Sequence, residues 1–144
     1  MKLSPNFSLE ELTFTQVASR RGLNNTPSEK VKDNLERLAF FLEQVRKLFN
    51  KPLLISSGYR SREVNEAVGG SKTSQHCEGC AVDFNVKGMS PSAVVRAIVD
   101  TSVPYDQVIL EFDSWVHISI PTVKGSTSRR QALVIDNNGK RNFK

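Results

Sequence analysis

The chain has few of the residues that carry chemistry. Among 144 residues there are two histidines, two cysteines and one tryptophan. Two cysteines cannot build a disulfide framework, so stability must come from an apolar core. No apolar run approaches the about 18–20 residues that span a bilayer, so no membrane-spanning helix is expected. The opening Met1-Lys2-Leu3-Ser4-Pro5-Asn6 carries a charge but no apolar h-region, so synthesis in the cytoplasm without a secretory signal is expected. Internal repeats and low-complexity stretches are missing too. Charge of one sign is scarce over most of the chain. The net +5 is matched by residues 124–144 alone, where Lys124, Arg129, Arg130, Lys140, Arg141 and Lys144 face only Asp136. A basic end on a neutral body argues against a nucleic-acid groove and for at most a local anion-binding patch.

What is present reads as one soluble α+β domain over residues 1–144, with helices packed on one small, mainly antiparallel sheet. Ser8-Leu9-Glu10-Glu11 has the spacing of a capping box, which predicts a short helix near 8–12. A second short helix ends at Arg21-Gly22, with glycine just past its last turn. Val31, Leu35, Leu38, Leu42, Val45 and Phe49 recur every three or four residues, the stripe of a long helix laid on a core. Leu53–Ser57 and Ala81–Val86 read as strands, and Ser61 opens a short helix between them. Ser90-Pro91 starts another helix with N-cap serine and proline at its first position. Residues 107–112 and 115–120 form a hairpin pattern, and residues 132–135 before Asn137-Asn138-Gly139 suggest a last strand.

Both histidines occupy unusual settings. His76 lies in a polar, glycine-containing loop, Ser74-Gln75-His76-Cys77-Glu78-Gly79-Cys80, that runs into a strand. Asp83 sits seven residues later between Val82 and Phe84. A carboxylate there must lie at a strand mouth or face something positive, because burying it alone is prohibitive. His117 lies in Trp115-Val116-His117-Ile118-Ser119. Two histidines and one aspartate would make a three-ligand zinc site with an open position, as a catalytic zinc requires. The competing reading is Cys77-Glu78-Gly79-Cys80, a C-x-x-C that could ligate zinc or act as a redox pair. A structural zinc would need more ligands than the chain has nearby, and a redox motif normally opens a helix, so two incidental thiols are expected.

The words Ser56-Ser57-Gly58-Tyr59-Arg60-Ser61, Val64-Asn65, Gly69-Gly70-Ser71, Ser74-Gln75-His76, Gly79-Cys80-Ala81-Val82-Asp83-Phe84 and Trp115-Val116-His117-Ile118-Ser119 stand in a telling order. In order and spacing they resemble the zinc D-alanyl-D-alanine carboxypeptidase and dipeptidase family, especially its short phage and bacterial peptidoglycan-peptidase branch. The resemblance covers about residues 5–121 and leaves a basic extension of about 122–144 outside it. It implies a Hedgehog/DD-peptidase-like fold and one zinc per chain on His76, Asp83 and His117. It further implies Arg60 as the group that binds the scissile carbonyl, with Ser74 and Tyr59 touching substrate. The implied reaction is hydrolysis in peptidoglycan stem peptides, of the D-Ala-D-Ala carboxypeptidase or L-Ala-D-Glu endopeptidase type. A monomer acting on the cell wall is expected, reached by endolysin-like phage release or as a virion component, with the basic end drawn to the anionic envelope. The alternatives are a non-catalytic module that binds wall peptide, or a virion structural protein on the same fold. Relatives usually carry a small residue such as alanine where this chain has Cys80.

Two acids compete for the role of general base. If Asp113-Ser114-Trp115 form a three-residue loop, Glu111 stands opposite His117, with Cβ atoms about 4.5–5.5 Å apart. If only Asp113-Ser114 form the turn, Leu110 faces His117, Glu111 points away, and Asp113 is the alternative base. A leucine beside zinc is the less sensible arrangement, which favours Glu111.

Overall fold

A computed structural model describes residues 1–144. The chain starts with a small ribbon, β1 (Lys2–Ser4) paired with β2 (Phe7–Ser8), which leads into α1 (Leu9–Thr13) and α2 (Gln16–Arg21). Ser8 caps α1 by accepting from Glu11 N, as the capping-box spacing predicts, and Gly22 ends α2 in the left-handed conformation. The ribbon itself was not expected, because two to three residues per strand leave no alternation to read.

The long helix α3 (Glu29–Phe49) starts at the Ser28 cap and ends at Asn50, which takes φ 51°. Its stripe is the core: Leu35, Leu38, Leu42 and Val45 are fully buried. Each such side chain contributes roughly 1.5–3 kcal/mol by leaving water.

Next come β3 (Leu53–Ser57), α4 (Arg62–Ala67), a 3₁₀ turn at Gln75–Glu78, β4 (Ala81–Val86) and α5 (Pro91–Val99). The hairpin β5 (Gln107–Glu111) and β6 (Trp115–Ser119) follows, then β7 (Gln131–Asp136) and β8 (Gly139–Asn142). The main sheet has six strands in the order β3-β4-β6-β5-β7-β8. All its pairings are antiparallel except β5 with β7. The α+β class holds, with one parallel pair inside a sheet expected to be mainly antiparallel. The strand β8 was missed: every residue in it is exposed, so no apolar period marks it. The basic extension thus carries two strands of the main sheet, β7 where a last strand was expected and β8 beyond it.

The basic residues there are partly neutralised. Arg129 pairs with Asp106 and Arg141 with Asp136, at 2.6 and 2.7 Å. The Arg130 guanidinium donates to the carbonyls of Val99, Val103 and Thr101 and stacks 4.5 Å over the Tyr105 ring. No helix is long and apolar enough to cross a membrane.

Candidate metal centre

The sheet brings His117 and Asp83 together directly. They are cross-strand partners on β6 and β4, so their side chains leave the same face. His76 reaches that face from the 3₁₀ turn, which was expected to be a loop. Ser74 caps the turn by accepting from His76 N at 3.2 Å, and Gly79 ends it at φ 73°. A Cβ at Gly79 would lie 2.9 Å from Val31 Cγ1, so both the conformation and the close approach to α3 call for glycine there.

The three side chains converge on one oxygen. Asp83 Oδ1 lies 3.2 Å from His76 Nε2 and 3.1 Å from His117 Nδ1. One ligand atom from each of the three residues lies within 4.8 Å of the others. His76 Nδ1 is 2.8 Å from the Gly58 carbonyl oxygen. A carbonyl only accepts, so Nδ1 carries the proton, and Nε2 of the neutral ring turns a lone pair toward a carboxylate. Facing lone pairs repel unless a cation lies between them. Burial alone would push the Asp83 carboxyl up; positive hydrogen-bonding partners at the His117 and His76 positions hold it well below the usual carboxylate range, and a cation seated between the rings and the carboxylate acts in the same sense as protons there. An ionised carboxylate and two imidazole nitrogens aimed at one point fit a zinc ion with room for a further ligand. Gly58 O supplies the hydrogen bond that would orient His76 as a ligand.

The remaining candidates divide between the cleft and elsewhere. A cleft of about 1070 Å³ crosses the centre and is lined by Arg60, Ser74, Glu111 and Trp115 among others. Arg60 N donates to His76 O at 3.1 Å, which ties it to the ligand-bearing turn, while its Nε has no partner within the protein. Ser74 reaches the cleft while serving as the cap. Tyr59 does not line the cleft; it is 7% exposed and belongs to the hydrophobic core.

The β5–β6 register differs from both expected ones. Glu111 pairs with Trp115 and Ile109 with His117, around a loop of Phe112, Asp113 and Ser114. The turn starts one residue early because Phe112 and Asp113 take φ 53° and 52°, and Ser114 N donates to Glu111 O. Trp115 stays in its strand, its ring 5.6 Å from that of Phe112. Residues two apart share a face, so Glu111 becomes the diagonal neighbour of His117, with Oε1 3.8 Å from Nδ1. Burial, then the Asp83 charge, raises the Glu111 carboxyl above its ordinary value, partly offset by His117. Asp113 is exposed on the turn and does not line the cleft.

The cysteines are free thiols, and neither belongs to the His76–Asp83–His117 cluster. Burial pushes Cys80 up to about 11, despite the nearby Arg37, and raises Cys77 as well. Neither is therefore a ready thiolate at neutral pH.

Residues with no sequence signal complete the site. Asp106, 4% exposed, is held by the backbone N and guanidinium of Arg129, and it accepts from Gln75 Nε2 at 2.9 Å. Gln75 also donates to Ile120 O, which pins the turn that carries His76. The far wall of the cleft comes from the last strands, through Leu133, Ile135 and Lys140.

A family model described as Peptidase M15 matches residues 5–119. No curated protein sequence matches the chain.

Proposed function

The chain belongs to the peptidase M15 family, and on that premise we propose that it hydrolyses peptide bonds in peptidoglycan stem peptides. The family is one of zinc-dependent peptidases, so a peptide substrate follows from membership. The observation that carries the proposal is the approach of His76 Nε2 and His117 Nδ1 to Asp83 Oδ1, on the floor of a cleft that also holds Glu111 and Arg60. The peptidoglycan assignment is supported by the ordered words shared with the D-alanyl-D-alanine carboxypeptidase and dipeptidase family.

His76, Asp83 and His117 would hold the zinc. When bound, it supplies a Lewis acid that polarises a carbonyl and makes water a nucleophile near neutral pH. Glu111 Oε1, beside His117, takes the proton of the attacking water and returns it to the leaving amine. The Arg60 guanidinium stays charged throughout and donates to the scissile carbonyl oxygen as negative charge develops there. The Ser74 hydroxyl, at the cleft edge, orients the substrate backbone. At about 1070 Å³ the cleft admits a stretch of peptide rather than a single residue.

The site of action in this reading is the cell wall, reached by phage-type release or aboard a virion. Attraction to the anionic envelope then falls to Lys124, Lys140 and Lys144, since Arg129 and Arg141 are paired and the Arg130 guanidinium is taken up by backbone carbonyls.

The test is mass spectrometry of the fragments that the zinc-loaded protein releases from purified sacculi. New amino termini within the stem mark an endopeptidase, and loss of a terminal residue marks a carboxypeptidase. Intact stems after prolonged digestion overturn the proposal.

A further inference from the structure

The wall of the cleft beyond β5 is built by residues that follow the family match, and one of them carries a free charge in line with Glu111. Trp115 pairs with Glu111, Glu111 with Ile135, and Ile135 with Lys140. Partners in such a row leave the same face of a sheet, so Lys140 emerges on the face that carries Glu111 and His117. It lines the same cleft. Two strand spacings of about 4.8 Å place its Cα roughly 10 Å from that of Glu111.

The cations of the cleft have different commitments. Arg60 adjoins the metal centre through His76 O. Arg129 is bound to Asp106 at 2.6 Å. Lys140 is exposed and makes no ion pair. Between Glu111 and Lys140 the floor is Ile135, with buried Leu133 in the next row, so the stretch that separates the two charges is apolar. A few placed polar groups on an apolar floor are what orient a ligand in a cleft.

We propose that Lys140 binds a carboxylate of the substrate two or three residues from the scissile bond, making the protein selective for acidic peptides. An extended peptide advances about 3.3 Å per residue, so roughly 10 Å spans three residues, and the flexible lysine stem shortens this to two. The inference rests on the peptidase reading above.

The experiment uses the zinc-loaded full chain and pairs of synthetic stem peptides. Members of a pair differ only by a carboxylate or its carboxamide at the second or third residue from the bond that is cut. The wild-type protein is expected to prefer the acid about two- to fivefold in kcat/KM at low salt, with the difference in KM. Lys140→Ala brings that ratio to about one, Lys140→Arg keeps it, and Lys140→Glu transfers the preference to a peptide bearing an amine at that position. Lys47→Ala, exposed on α3 and outside the cleft, keeps the wild-type ratio. Melting temperatures confirm that the variants fold. An unchanged ratio in both Lys140→Ala and Lys140→Glu, with both peptides cut, overturns the subsite and leaves the peptidase reading standing. If the wild-type protein cuts neither peptide, the peptidase reading fails, and calorimetric titration with the same pairs decides the subsite. There, an acid preference that is lost in Lys140→Ala supports it, and equal affinities overturn it.

Discussion

His76 and Gly58 form the contact on which the candidate metal centre is hung. The imidazole Nδ1–H donates to the Gly58 carbonyl across 2.8 Å, and a Cβ on Gly58 would lie 2.4 Å from Leu12 O. That oxygen is backbone and cannot swing aside, so the Gly58 peptide has one position against α1. Gly58→Ala is therefore expected to displace the carbonyl that orients His76. Zinc affinity should fall about 10–100-fold, the usual cost of losing an outer-sphere partner. Competition with a chelating dye reads this; unchanged affinity in a folded variant would mean that Gly58 does not orient the ligand.

Metal dependence separates the two ligand readings. His76→Ala and His117→Ala should each lose zinc and activity, whereas Cys77→Ser combined with Cys80→Ser should keep both. Elemental analysis of the purified variants decides. Full zinc in His76→Ala with none in the double cysteine variant would reverse the assignment.

The general base is tested by comparing Glu111→Gln with Asp113→Asn at equal zinc content. Glu111 lines the cleft and Asp113 does not, so the first should lose about 10²–10⁴-fold in kcat and the second little. A collapsed Asp113→Asn beside a near-normal Glu111→Gln would move the role to the turn.

Acid stability should depend on Asp106. Burial pushes its carboxyl up, but hydrogen bonds from Arg129 and Gln75 outweigh that and hold it below the ordinary value of 3.8. A depressed carboxyl stabilises the fold above its unfolded pKa, and that contribution disappears as pH falls through the folded one. Melting temperature should therefore drop below about pH 4, and Asp106→Asn should flatten that part of the curve while lowering stability at pH 7. Arg129→Met, which strands a buried carboxylate, should cost about 1–3 kcal/mol at pH 7 in chemical denaturation. A variant as stable as the parent would show that the ion pair is only a surface ornament of the fold.

Envelope attraction is best tested without cutting the chain, because removing residues 137–144 also removes β8. Lys124→Gln with Lys144→Gln leaves the sheet intact and should weaken sedimentation with sacculi at low salt, converging with the parent as salt rises. Identical sedimentation at every ionic strength removes the basic end from wall binding.

Much of this architecture was legible because local signals agreed. The α3 stripe, the serine caps at Ser8, Ser28, Ser61 and Ser90, and the apolar strands β4 and β6 each announce themselves within a few residues. Asp83 and His117 stood out because polar side chains in apolar strands need a reason, and His76 because its polar loop runs straight into one of those strands. The β5–β6 register was not legible. It depends on Phe112 adopting a left-handed backbone, which a bulky residue rarely does, and no local rule predicts that. The correct face for Glu111 came from the wrong pairing, since a two-residue shift in the opposing position preserves the side of the sheet. The Asp106–Arg129 pair and the wall carrying Lys140 were invisible for a different reason. Both join residues far apart in sequence, through a parallel strand pairing whose partner could not be guessed.

That pairing of β5 with β7 also orders events in time. His76, Asp83, His117 and Glu111 all leave the ribosome before Gln131–Asp136 exists to dock beside β5. Until then β5 is a bare edge, Asp106 lacks its arginine, and the groove has a floor but only one bank. A nascent or C-terminally clipped chain could therefore assemble its cation-binding corner while still being unable to hold a peptide in line. The arrival of residues 129–140 thus determines when the groove has both of its walls.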